Sequence, residues 1–545
     1  MKKSVFTFLL LLCVSSSYSQ WITNYGFSEG DINFTNAKGN AVTTDASGYS
    51  YVTGYTYDTQ TQNDIVTIKY TPTGDTVWVR SYNGTSNQND EGTGICVDAQ
   101  GNVYVVGFAE ISGKSLDVML IKYTSDGAQQ WAIPYSKSTS AFQDKGTDIA
   151  VDANGYIYIT GFTTDDSGIQ NIFTRKCDPN GNEMWSKLES GLSHLNSQGS
   201  SIVVSNAGNV YVTGYVTIAN GITDIAVVSY DNSGNLNWSN IIPGSGGEDK
   251  AWGIVVDAAE NVYITGYITV SGNDTDYYTA KLSNGNIVWA KIYGGNETDK
   301  AWGIVVDTDG SVYVTGEATD ASHNVNYVTI KYTPDGTQAW ATLYDGTGGP
   351  DEASAIAILQ NQNLTKSIVV TGKSWGTASN YDYATVRYNT DGVQTGQNRY
   401  SFTGNSNDMA KDLAISPTKK VIVTGFSSLI IDNSADNSYI STQSLEWGSE
   451  LTNLNNTPKT FLLEQNYPNP FNPSTNIKFN LTSSGNVKLV VYDMLGKVVD
   501  ILVNQDLQAG SYNIKYSNTS LSSGIYFYEL TTSGLRDIKK MTLVK

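Results

Sequence analysis

Six aspartates recur at one position of a repeated phrase: Asp90, Asp144, Asp249, Asp299, Asp351 and Asp408. Each stands about eight residues before the end of a short apolar run, so a repetitive fold would carry them to equivalent places. A ring of carboxylates offers hard oxygen ligands to calcium, or attracts a cationic or hydroxyl-rich ligand. The same side chains would serve equally as acceptors for backbone amides of their own turns, locking one repeat to the next. Asp307-Thr308-Asp309-Gly310 is a second candidate calcium loop, although it is shorter than an EF-hand and its sister turns lack the second Asp. Little else suits catalysis. The two histidines, His194 and His323, sit at non-equivalent loop positions and define neither a zinc site nor a Ser-His-Asp set. Cys96 and Cys177 fall at different places in different repeats and read as small side chains in strands, with no disulfide indicated. Most tyrosines occupy fixed strand positions, where repetition predicts packing. Trp375, in the long loop after Gly372, breaks that pattern and is the candidate for an exposed ligand contact.

The phrase that positions these residues is Tyr51-Val-Thr-Gly54, repeated with variations at Gly107, Gly161, Gly214, Gly266, Gly316, Gly372 and Gly425. The glycines are 53, 54, 53, 52, 50, 56 and 53 residues apart. Each unit holds four short runs rich in β-branched and aromatic residues, as in Gly94–Asp98, Asn102–Gly107, Asp117–Tyr123 and Gln130–Tyr135. The first two runs are joined by turns such as Asp98-Ala-Gln-Gly101, with an Asx acceptor and a glycine for positive φ. Four antiparallel strands per unit predict an all-β propeller blade. Fourth strands carry Trp78, Trp131, Trp185, Trp238, Trp289 and Trp340, and Asn398-Arg-Tyr400 is a seventh without tryptophan. The segment Trp21–Tyr25 reads as an orphan fourth strand that completes the last unit, which removes a free sheet edge. The expectation is an eight-bladed β-propeller, with seven blades as the alternative, followed by a small C-terminal β-sandwich.

Four segments follow: a signal peptide at 1–19, the propeller at 20–447, a linker at 448–460 and a C-terminal domain at 461–545. Lys2 and Lys3, the apolar run Val5–Val14 and the small residues Ser15–Ser19 have the pattern of a secretory leader cleaved after Ser19. No later run is long enough to span a bilayer. The segment 458–545 has nine Lys or Arg and six Asp or Glu, a net +3, whereas 20–457 has 22 against 46, a net −24. That balance argues against a nucleic-acid partner, which needs clustered cations to displace phosphate counterions.

The wording Asp-x-x-Gly-Asn-Val-Tyr-Val-Thr-Gly, then Lys-Tyr, then Gly-x-x-x-Trp-x-x-x-Tyr resembles the bacterial SBBP β-propeller repeat over residues 21–447. That family label implies seven blades, against the eight counted, and little about activity. The segment Tyr467-Pro468-Asn469-Pro470-Phe471-Asn472-Pro473, with Val490–Gly496, Leu521–Phe527 and Met541–Lys545, resembles the type A sorting domain of the type IX secretion system. The resemblance implies an address read by that machinery in a bacterium with an outer membrane, and cargo secreted or attached to the cell surface. The functional expectation is a non-catalytic binding or structural module with an extracellular ligand, a glycan or a protein, and no cofactor beyond calcium at the aspartate ring. The alternative is an extracellular polysaccharide-processing enzyme using carboxylates on the loop-rich propeller face, which requires a pair about 5–9 Å apart.

Overall fold

A computed structural model of the chain describes residues 17–25, 36–58, 60–111, 115–136, 142–189, 195–219, 221–271, 274–295, 297–360, 365–376, 380–402, 406–429, 437–447, 451–453, 458, 460–472, 474–483, 485–507, 509–517, 521–532 and 534–544. The regular elements among them are β-strands, gathered into ten four-stranded sheets. Most of the leader, His194 and Pro473 lie outside the described residues. The chain divides into two compact units, one of Ser19–Gln394 with Arg399–Leu445, the other built on Glu446–Lys545.

Eight sheets belong to the repeats. Sheet 1 runs Ala37–Thr44, Ser50–Asp58, Gln62–Tyr70 and Thr76–Tyr82, each strand beside the next. The first strands of sheets 2 to 8 are Glu91–Val97, Lys145–Val151, Ser197–Val204, Lys250–Val256, Lys300–Val306, Asp351–Gln360 and Ser406–Ile415. These first strands touch one another in order, and that of sheet 8 returns to that of sheet 1, an arrangement consistent with a propeller. Sheet 8 takes its fourth strand, Ser17–Tyr25, from the start of the chain, which lies beside Asn437–Trp447. Trp21–Tyr25 therefore stands where the repeat predicts, and Ser17–Ser19, read as the end of the leader, belong to the same strand.

The recurrent glycine answers a demand for space. The first strand of each sheet carries an irregularity in register, such as the one between Gly92 and Gly94, that pushes its backbone toward the second strand. A Cβ at Gly54, Gly107, Gly214, Gly266 or Gly316 would run into the carbonyl oxygen of Lys38, Glu91, Gln198, Lys250 or Lys300 on the first strand. The threonine before it points the other way: Thr53, Thr160, Thr213, Thr265 and Thr315 donate to third-strand carbonyls of their own sheets.

Packing between sheets supplies the core. One cluster joins Tyr51, Ile65 and Trp78 of sheet 1 to Val103, Val105, Met119 and Tyr123 of sheet 2, and a similar one joins Val52, Val66 and Tyr70 of sheet 1 to Ile422 and Ile440 of sheet 8. Alternating β-branched and aromatic residues cover both faces of each sheet, so successive sheets bury one another. Trp78 packs at a tilt 5.9 Å from Tyr123 of the next sheet and donates to the Ser125 carbonyl at 3.2 Å, where Lys69 also donates at 2.7 Å. The Lys-Tyr and Trp elements of the repeat are thus one inter-sheet clasp.

The C-terminal unit has two sheets, ordered Leu451–Asn453, Gly510–Ser517, Ser474–Leu481, Leu462–Leu463 and Val498–Leu507, Gly485–Tyr492, Gly524–Thr532, Leu535–Leu543. Phe479, Tyr512, Leu489, Val491, Tyr528 and Met541, drawn from both, share one buried cluster. Leu451–Asn453, within the segment read as linker, instead pairs with Tyr512–Ile514.

Candidate functional site

The six aspartates are buried at the entry to their first strands. Asp90 accepts from the amide of Gly84, in the crossover from sheet 1, and from that of Glu110 at 2.8 Å, at the end of the second strand of its own sheet. Asp249 takes Gly244 and Thr269 at 2.5 and 2.6 Å, Asp299 takes Gly295 and Thr319 at 3.1 and 2.7 Å, and Asp351 takes Gly346 and Trp375 at 2.7 and 2.9 Å. Asp144 accepts from Thr164 at 2.6 Å, and Asp408 from Phe402 and the Ser406 hydroxyl. The amides of Asp90, Asp144, Asp249 and Asp299 in turn donate to Asn63, Leu116, Thr223 and Thr275 of the preceding sheet. Asp90, Asp249 and Asp299 thus each tie a crossover, their own second strand and the neighbouring third strand. Burial outweighs these donors and lifts Asp90, Asp299 and Asp408 to about 6.

In sheets 1 and 4 Ala37 and Ser197 hold this position, and the amides of Tyr57 and Thr217, which the carboxylate would bind, donate to the backbone carbonyls of Asn36 and Asn196 at 2.9 Å. Among the described residues no three His, Cys, Asp or Glu come together to hold a metal ion. Asp307 pairs with Lys366, and Asp309 accepts from the Ser311 amide at 2.8 Å. His323 is exposed and contacts Glu297. Cys96 is half-buried and Cys177 buried, both as free thiols.

Trp375 departs from the expectation of an exposed loop residue. It ends the strand Lys366–Trp375, is half-buried, and packs edge-on against Tyr381 at 5.1 Å. Its carbonyl accepts from Arg399, which also reaches Ser374 and Asp382. Arg399 thus fills the fourth strand that lacks tryptophan with polar contacts.

A different set of residues, unnoticed in the sequence, gathers at the same end of the first strands. The residue before the recurrent Gly or Ala of the first strand faces the residue after the recurrent Gly of the second: Lys38 opposite Tyr55, Lys145 opposite Phe162, Lys250 opposite Tyr267, Lys300 opposite Glu317 and Glu352 opposite Lys373. Lysines reach back over rings of the preceding sheet: Lys38 over Phe426 at 4.6 Å, Lys145 over Phe108 at 4.2 Å, Lys250 over Tyr215 at 4.9 Å and Lys300 over Tyr267 at 5.2 Å. The bulge residue lies one place further on. There Asn40 and Thr93 donate to Gly92 and Gly146 of the next sheet, Trp252 and Trp302 pack at 5.5 Å with their planes tilted by 49°, and Lys411 lies 5.9 Å from Phe426. Glu352 pairs with Lys373 at 2.7 Å, and burial together with the neighbouring Glu352 charge raises the Glu317 carboxyl well above the ordinary glutamate range. The tell-tale signal, visible only once the register is known, is a lysine or aromatic flanking each glycine.

In the C-terminal unit Phe471 is buried, and Tyr467 is 81% exposed. The segment runs beside the strand Leu535–Leu543: Phe471 donates to Thr542, Val544 donates to Phe471, and Asn469 accepts from Thr542. Proline suits such an edge, where missing amides cost no ladder bond.

Residues 465–544 match the family described as Secretion system C-terminal sorting domain. That domain marks proteins exported by the type IX secretion system to the cell surface or secreted, so the chain is an exported protein. Among curated proteins none matches the chain. Solved structures similar to it include Chaetomium thermophilum Sqt1, at 9% identity over 74% of this chain and 95% of that one, TM-score 0.47. A protein of unknown function from Dyadobacter fermentans is similar at 8% identity, 79% and 99% coverage and TM-score 0.37. Drosophila Plexin A in complex with Semaphorin 1b is similar at 10%, 79% and 88%, TM-score 0.37. Among the described residues no helix is long and apolar enough to cross a membrane.

Proposed function

We propose that residues 20–447 form an eight-bladed propeller of SBBP-type repeats that acts outside the cell as a non-catalytic binding or structural module, delivered through contact of its sorting domain with the type IX machinery. The observation that carries this reading is the use of the repeated polar residues. Aspartates, Lys-Tyr pairs and tryptophans are spent on joining sheets, which leaves the variable charged and aromatic residues at the centre of the loop-rich end as the recognition surface. The aspartates are read as structural acceptors, since their oxygens meet backbone amides in the directions a cation would occupy. A glycan array probed with the mature protein, with calcium and chelator arms, tests the reading. Binding that is indifferent to chelation is expected, and a chelator-dependent signal would restore calcium to the ring.

One observation favours the enzymatic alternative. Glu317 and Glu352 come from adjacent sheets, with Tyr267 and Tyr381 near them, and one carboxyl is held toward its protonated form. Against it, the Glu352 charge acts on the Glu317 carboxyl as an immediate neighbour, whereas glycosidic pairs stand ~5–9 Å apart with the sugar between them. Release of reducing ends from a polysaccharide by the native protein, abolished in Glu317→Gln and Glu352→Gln, would establish it.

A further inference from the structure

At the inner end of the eight sheets the charge is opposite to that of the unit around it. Six lysines, Lys38, Lys145, Lys250, Lys300, Lys373 and Lys411, stand there against four glutamates, Glu91, Glu248, Glu317 and Glu352, whereas residues 20–457 carry 22 bases and 46 acids. Lys250 and Lys373 are neutralised by Glu248 and Glu352 at 3.2 and 2.7 Å. Among the described residues Lys38, Lys145, Lys300 and Lys411 make no ion pair, and each instead lies over an aromatic ring. Lys38 and Lys411 share Phe426. Lys411 reaches solvent, yet desolvation by surrounding protein, with Lys373 and Lys38, lowers its pKa against the opposing pull of Glu352 and Glu91. Glu91 and Glu317 balance these lysines only in part, and an excess of ammonium groups is stabilised by an anion that enters between them.

The aromatic residues select among anions. Trp252 and Trp302, partly open to solvent, alternate with Lys250 and Lys300 on adjacent sheets. Indole faces beside ammonium groups fit a ligand that is flat and apolar on one side and carboxylated at its rim. A pyranose ring bearing a carboxylate has that form, and a bare phosphate does not. We propose that this end of the ring binds acidic oligosaccharides of the uronate type, with carboxylates held by Lys38, Lys300 and Lys411 and sugar faces laid on Trp252 and Trp302. The proposal rests on the binding-module reading above and gives it a substrate class.

The test is calorimetric titration of the mature full-length protein with tetragalacturonate, cellotetraose and a tetraglutamate peptide, at low and physiological salt. Tetragalacturonate is expected to bind, to weaken with salt, to quench tryptophan fluorescence, and to lose about tenfold in affinity in Lys411→Gln, since a hydrogen bond to a partly desolvated charge is at stake. Lys38→Gln is the second variant, and an unchanged melting temperature in either separates lost binding from lost fold. Equal binding of cellotetraose, untouched by either substitution, would overturn the proposal while leaving a binding module. Tighter binding of tetraglutamate would overturn it in favour of an acidic protein segment. Absence of binding to all three would overturn the site itself, and the glycan array then judges the wider reading separately.

Discussion

Trp21 lies over Gly74, against the backbone of a turn in sheet 1, although its own strand completes sheet 8. A Cβ on Gly74 would enter the indole ring. The Trp21 Nε1 donates to Pro72 at 3.1 Å, and Lys420 of sheet 8 donates to the same carbonyl at 3.2 Å. Trp78 makes the same approach to Gly127, Trp185 to Gly234 and Trp340 to Gly392. Trp21 therefore repeats the clasp that the fourth-strand tryptophans of sheets 1 to 6 make with the sheet that follows.

If that clasp seals the ring, Trp21→Ala should cost about 3 kcal/mol, the lower end of the range for large aromatic truncations because the side chain is half-buried. Gly74→Ala should cost at least 1–2 kcal/mol, roughly the penalty for a Cβ at positive φ, here φ 94° with the indole in the way. Chemical denaturation of both variants checks this. Wild-type midpoints would count against closure by the N-terminal strand.

Replacing Asp249 by Ala strands the amides of Gly244 and Thr269 in a buried setting. The expected loss is about 1–3 kcal/mol. Hydrogen exchange at Thr269 should accelerate, and protection equal to the wild type would remove the structural role.

Carboxyls raised in the folded state make stability depend on pH in an unusual sense. Asp90, Asp276, Asp299, Asp408 and Asp412 are held at about 6, chiefly by burial, against an unfolded value near 3.9. Between those values the folded chain binds more protons than the unfolded one, so stability rises as pH falls through about 6 and levels off near 4. The melting temperature should climb between pH 7 and pH 5, with a shallower rise in Asp90→Asn. A falling melting temperature over that window would contradict the assignment.

A chain ending at residue 460 loses Asn466, whose amide donates to Tyr528, and the sorting segment that lies beside Leu535–Leu543. Such a chain should accumulate in the periplasm with protease-resistant repeats. Its appearance at the cell surface would separate export from the C-terminal domain.

Repetition made much of this molecule readable without coordinates. Strand type follows from β-branched and aromatic runs, turns from Asx-x-x-Gly, and the borrowed fourth strand from a tryptophan with no repeat in front of it, because each is a local rule read against a recurring unit. The export address is similarly contained in a short contiguous stretch. What the linear chain could not disclose is where equivalent residues point. The aspartates attracted notice as ligands because they are charged and periodic, but their partners are amides six residues before and twenty after Asp90, a pairing that only strand register creates. Trp375 seemed free because it interrupts a pattern, yet Arg399, twenty-four positions later, meets its carbonyl. The lysines near the centre drew no reading from the sequence. Only closure of the sheets into a circle sets Lys38, Lys373 and Lys411 near one another, since charge density depends on distances between segments hundreds of residues apart, and no local rule encodes those.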